Sequence, residues 1–149
     1  MNTHIDRIDF VFEGSAHFDV AAILRDLPWE QYQLFLQGGV IHDGTGFIDD
    51  TGIVSADFFN RISDAGSCCM WEILLHIFPS GSTPRPLNSC TDFAESNCEC
   101  TIDYVDSGDL RVYVKSSEWK DTITKNCMRM QQDRAKEQGL VPCSEPKDT

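Results

Sequence analysis

Apolar and polar positions alternate in several short stretches of this chain, and the period changes between them. Ile8, Phe10 and Phe12 are interleaved with Asp9 and Val11, a two-residue period that predicts an opening strand. Gly14-Ser15 break it. Asp19 is then placed to cap a short helix over Val20–Leu27, which Pro28 ends. From Trp29 to Gln37 the alternation returns and reads as a half-buried strand closed by Gly38-Gly39. The Gly- and Asp-rich stretch 40–51 reads as a loop or short edge hairpin anchored by Phe47 and Ile48. Ser55 caps a second helix over Ala56–Asp64, with Asp57 in the first turn, where negative charge suits the helix dipole.

Cys68 to Phe78 is almost continuously apolar except at Glu72 and His76, the pattern of a central strand. Pro79, Gly81, Pro84 and Pro86 make an irregular connection to a single helical turn at Thr91–Glu95. Cys98–Val105 and Leu110–Lys115 alternate on either side of Asp106-Ser107-Gly108-Asp109, the clearest hairpin in the chain. Ser116 or Ser117 caps a long helix over Glu118–Gln138, in which Trp119, Ile123, Cys127 and Met130 form one apolar face. The order strand-helix-strand-loop-helix-strand-strand-strand-helix predicts an α+β fold: a mostly antiparallel sheet with helices packed on one face. Residues 1–140 are expected to form one domain and 141–149 a flexible tail.

Charge adds what periodicity does not carry. Residues 1–110 hold 18 acidic residues against 4 arginines, net −14, and the first lysine is Lys115. Residues 111–149 hold 8 basic against 6 acidic, net +2, giving −12 for the whole chain. A surface of one sign repels nucleic acid and anionic membrane and attracts a cationic partner. No apolar run approaches the roughly 20 residues needed to cross a bilayer. Met1–Arg7 has neither a basic leader nor an apolar core, so no secretory signal is expected. Seven cysteines, an odd number, read as reduced and mostly buried thiols in a cytoplasmic protein, with Cys143 the most exposed.

Several chemistries are disfavoured by spacing. Cys98 and Cys100 are too close for a zinc ligand pair, and on a strand both would face one side, whereas Cys68 and Cys69 would face opposite sides. His76 shares a face with Cys68 by parity but lies eight residues, roughly 26 Å, along the strand. The Gly38–Gly46 stretch lacks the lysine of a phosphate loop, and Asp43 to Asp50 does not match a calcium hand. No metal and no cofactor is expected. What remains is two acidic clusters: Asp43, Asp49, Asp50, Asp57 and Asp64, then Glu95, Glu99, Asp103, Asp106 and Asp109.

The strand ending Leu75-His76-Ile77-Phe78-Pro79 is followed by Asp92-Phe93-Ala94-Glu95-Ser96-Asn97-Cys98, the hairpin Thr101–Val114 and the helix begun at Ser117. That succession resembles a bacterial immunity-protein-like family of small cytoplasmic proteins. The resemblance implies a protein that neutralises a toxin by binding it. Toxins that cleave nucleic acid carry positive charge to hold polyphosphate, and an acidic inhibitor docks on them rapidly. The expectation is therefore an immunity protein, without catalysis of its own, that masks a cognate basic toxin domain such as a nuclease. Asp43, Asp49, Asp50, Asp106 and Asp109 are the expected contacts, with Phe47 as apolar anchor, and the chain is expected to be a monomer or weak homodimer. The alternatives are a small hydrolase using a carboxylate pair or a Cys/His site, and a nucleic-acid-mimic inhibitor.

Overall fold

Capping side chains set most helix starts. In the computed structural model, which describes residues 4–11, 19–42, 47–48, 51–65, 69–105 and 108–137, Asp19 accepts the amides of Ala21 and Ala22 to open α1 (Val20–Ile23). Ser55 Oγ accepts from Phe58 N ahead of α2 (Ala56–Ala65), and Ser89 Oγ accepts from Asp92 N at the head of α3 (Cys90–Glu95). Of the two candidate serines for α4 (Ser117–Glu137), it is Ser116 whose Oγ takes an amide, that of Trp119.

Seven strands form one sheet: β1 (Asp6–Val11), β2 (Gln33–His42), β3 (Phe47–Ile48), β4 (Gly52–Val54), β5 (Cys69–Phe78), β6 (Cys100–Tyr104) and β7 (Asp109–Val114). The order is β1-β7-β6-β5-β2-β3, with β4 also paired to β2, and every pairing is antiparallel. This is the α+β class and antiparallel sheet that the alternation implies. Several boundaries differ: α1 stops at Ile23, short of the expected Leu27, and β6 starts at Cys100 instead of Cys98. Trp29–Gln31 is a 3-10 turn, so β2 begins only at Gln33, and β2 runs past Gly38-Gly39 to His42 because both glycines stay in register with β5.

The inner face carries Ile8, Phe10, Leu34, Leu36, Ile73, Leu75, Ile77, Ile102, Leu110, Val112 and Val114. Against it pack Val20 and Ile23 of α1, Phe59 of α2, and the predicted α4 face of Trp119, Ile123 and Cys127, with Met130 at its margin. Cys98 and Cys100 part company instead of facing one side. Cys98 belongs to a second cluster with Phe78, Leu87 and Phe93, while Cys100, the first residue of β6, points into the main core. The reason is local: Ser96 Oγ turns the chain by accepting Cys98 N, so the strand alternation starts only after Glu99.

One polar residue in the core joins the chain's two ends. Asn126 on α4 is 2% exposed, and its Nδ2 donates to the carbonyls of Ile23 and Arg25, both at 2.8 Å. Asp26 follows at φ 72°, the left-handed conformation that ends the α1 region. Replacing Asn126 with alanine leaves both carbonyls without that donor. The expected loss is about 1–3 kcal/mol, seen as a lower urea midpoint with unchanged slope; an unaltered midpoint would mean that the carbonyls find other partners.

Candidate functional site

Cross-strand register lays out the outer face of the sheet in rows. Arg7, Tyr113, Thr101, His76 and Phe35 are successive partners across β1, β7, β6, β5 and β2, and Asp9, Arg111, Asp103, Leu74 and Gly38 form the next row. The first row is largely covered. Leu87 and Phe93, from the connection after β5 and from α3, pack on Phe78 and Cys98, with Phe35 and Tyr113 against them. Lys115 holds α3 in place: its ammonium donates to Ser96 O and lies 4.9 Å over the Phe93 ring. α3 is thus on the face opposite α1, α2 and α4.

Beneath this cover lies a polar network that starts at a β-bulge. β2 shifts register between Leu36 and Gly38, so Gln37 has no partner on β5. Its Oε1 accepts from His76 Nε2 at 2.6 Å and from Leu87 N at 2.9 Å, while its Nε2 donates to Asn88 Oδ1 at 2.9 Å. Since Gln37 Oε1 can only accept, His76 carries its proton on Nε2, and Nδ1 accepts from Thr101 Oγ1 at 2.8 Å. Burial lowers the His76 pKa to about 4, and the ring is neutral at pH 7.

This geometry brings a cysteine and a histidine closer than their spacing in the chain suggests. Cys98 Sγ lies 3.7 Å from Thr101 Oγ1, which in turn bonds His76. The thiol is fully buried, donates to the carbonyl of Cys100 or Ile77, and is pushed up to about 11 by burial. A thiol raised in this way is a packing group and not a nucleophile. Cys100 and Cys127 are likewise buried and raised, and Cys90 is exposed. Among the described residues no group of three His, Cys, Asp or Glu side chains is arranged to hold a metal, and no helix is long and apolar enough to cross a membrane.

The second row is open. A cleft of about 190 Å³ between the sheet and the 87–93 segment has His76 and Thr101 at its floor and Asp103 at its rim. A second groove of about 270 Å³ adjoins it, sharing Leu74 and Asp103 and continuing over Gly38, Gly39, Glu72 and Val105. Asp103 is half-buried, and its carboxyl is raised by desolvation, an effect that Arg111 partly offsets. Glu72 is exposed at the groove's edge.

Of the residues expected to bind a partner, Asp43, Asp49, Asp50 and Asp106 lie outside the described residues, as do Cys68, Cys143 and the expected tail. Phe47 is placed by its backbone, on β3 opposite His42. Asp109 opens β7, exposed, with its carbonyl accepting Val105 N at 3.0 Å. The antiparallel pairing brings the end of β2, with the adjoining β3, and the β6–β7 turn to the same end of the sheet, where the open groove also lies. Sequence reasoning passed over Glu72, Gly38 and the Gln37–His76–Thr101 network. The available signal was parity: Glu72, Leu74 and His76 are the alternate positions of a strand whose other face is wholly apolar.

A sequence profile described as "Protein of unknown function (DUF2691)" matches residues 8–136. No curated protein and no solved structure matches the chain significantly.

Two expectations follow from the network. Because the folded pKa of His76 is about 4 against an ordinary 6.5, the unfolded chain binds the extra proton. The contribution of this residue is therefore complete above about pH 6.5, declines as pH falls through that window and is lost below about 4, amounting to about 3 kcal/mol. Unfolding of the parent and of His76→Gln between pH 4 and 7 checks this: the stability gap should narrow on acidification, and a constant gap contradicts it. Thiol labelling of the native protein, mapped by mass spectrometry, should modify Cys90 and spare Cys98, Cys100 and Cys127; rapid labelling of Cys98 would show that the cover opens.

Proposed function

This chain belongs to the DUF2691 family, and from that starting point we propose that it is a binding protein that captures a basic protein partner on the acid-lined open half of its outer sheet face. The partner we favour is a cationic toxin domain such as a nuclease, with this chain acting as its immunity protein. The observation that carries the reading is the placement of Glu72 and Asp103 along an uncovered groove, at the sheet end that also bears Asp109, in a chain of net charge −12. Opposite potentials accelerate encounter and fix orientation without any chemistry by the inhibitor. In support, the described groups best suited to catalysis are neutral and occupied: His76 is bonded at both nitrogens, and the Cys98 thiol is held protonated. The free thiols of Cys90, Cys98, Cys100 and Cys127 suit a reducing compartment, and we place the protein in the cytoplasm.

The test is binding to the product of the adjacent reading frame, measured at two salt concentrations and repeated with Glu72→Lys. Affinity should fall by about tenfold or more on going from about 50 to about 300 mM salt, and similarly on charge reversal. Binding indifferent to both would overturn the acidic-surface reading.

A further inference from the structure

We infer that the groove over Gly38 receives one lysine or arginine side chain of the partner, its aliphatic stem lying across Leu74 and its cation reaching Asp103 and Glu72. This rests on the basic-partner reading above and gives it a specific contact.

The shape comes from two adjacent glycines with different surroundings. A Cβ on Gly39 would lie 2.8 Å from the carbonyl oxygen of Glu72, so β2 can run this close to β5 only without a side chain there. A Cβ on Gly38 would meet nothing within 4 Å, so the outer face is open directly above it. Beside that opening Leu74 is half-buried and unclothed by the 87–93 segment on its groove side. Lysine and arginine bury their methylene stems on such surfaces while the charged head stays at the rim. The volume, about 270 Å³, falls below the roughly 300–1,000 Å³ typical of sites for whole small molecules and suits a single inserted side chain.

The charge is arranged for the head group. Asp103 is directly opposite Leu74, and Glu72 is two residues from Leu74 on the same face, which makes the two carboxylates diagonal neighbours on adjacent strands. Diagonal positions stand roughly 7–8 Å apart, a span that one cation between them can serve. Arg111, the cross-strand neighbour of Asp103, is the resident competitor. It acts on both Asp9 and Asp103 through space, and among the described residues it forms no ion pair with either. Asp103 makes no hydrogen bond among the described residues, so a half-desolvated acceptor awaits a donor in the groove. Charge-assisted bonds at such sites are stronger than those to a fully hydrated carboxylate.

The experiment is an amide-resolved NMR titration of the full chain with acetyl-Gly-Lys-Gly-amide and acetyl-Gly-Arg-Gly-amide, against acetyl-Gly-norleucyl-Gly-amide. At least one cationic peptide should shift the Gly38, Gly39, Leu74 and Asp103 amides at millimolar concentration, and the norleucine peptide should not. Gly38→Leu, which fills the open space, and Asp103→Asn should each weaken the response about tenfold or more. Gly38→Ala, for which the structure leaves room, should weaken it less, and it keeps the test valid if the leucine variant fails to fold. Shifts spread over the acidic surface, or a response unchanged by these variants, would overturn the groove. Poly-lysine separates the two readings: salt-dependent binding that persists undiminished in Gly38→Leu overturns the groove alone, whereas salt-insensitive binding overturns the acidic-surface reading as well.

Discussion

The register shift at Gln37 organises the outer face of this protein. A single unpaired residue in β2 frees a side-chain amide that fixes the protonation of His76, takes the backbone amide of Leu87 and holds Asn88. On one side of the bulge, these bonds tie the proline-rich connection down, and with it Leu87 and Phe93 over the second apolar cluster. On the other side, Gly38, the residue that follows, leaves the same face bare. Covered and open halves of one sheet face are thus separated by a one-residue slip. Every polar atom in the covered half must be matched from within, and no buried side-chain nitrogen or oxygen among the described residues lacks a partner.

The two faces obey different rules. The inner face is a continuous apolar layer held by three helices, and its one deeply buried amide, Asn126, serves backbone carbonyls. The outer face mixes aromatic rings with titratable groups whose ionisation is shifted by burial: His76 downward, Asp103 upward. Shifts of this kind often mark catalytic sites. Here the geometry around each one separates them, with His76 sealed between Gln37 and Thr101 and Asp103 facing the open groove. The imidazole is thus neutral and enclosed, whereas the carboxylate lines an open groove.

Much of the fold could be read from the chain because its signals are local. The caps at Asp19 and Ser55, the pairing of β6 with β7 as a hairpin and the apolar stripe of α4 all rest on signals a few residues long, and all are found where the local sequence puts them. Asp103 was legible as one member of an acidic cluster but not as a member of a groove. The bulge and the partners of His76 depend on pairings between residues 25 to 50 positions apart, which no window of alternation contains. Gly38-Gly39 shows the same limit. The pair looks like a stop signal locally, yet tertiary register carries the strand through it.

The topology also dictates an order of events during synthesis. Among the described residues the first strand pairs with the last alone, Asp6 opposite Val114, and the carbonyls at the end of α1 are served from a helix that begins at Ser117. A ribosome adding roughly 5–20 residues per second leaves β1 without its neighbour for roughly 5–20 s. During that interval Ile8 and Phe10 are exposed on a strand with both edges open. The nascent chain meets this hazard with Asp6, Arg7 and Asp9, which place a charge at three of the first four positions of that strand. The segment that waits longest to fold is therefore also one of the least able to stack on a copy of itself.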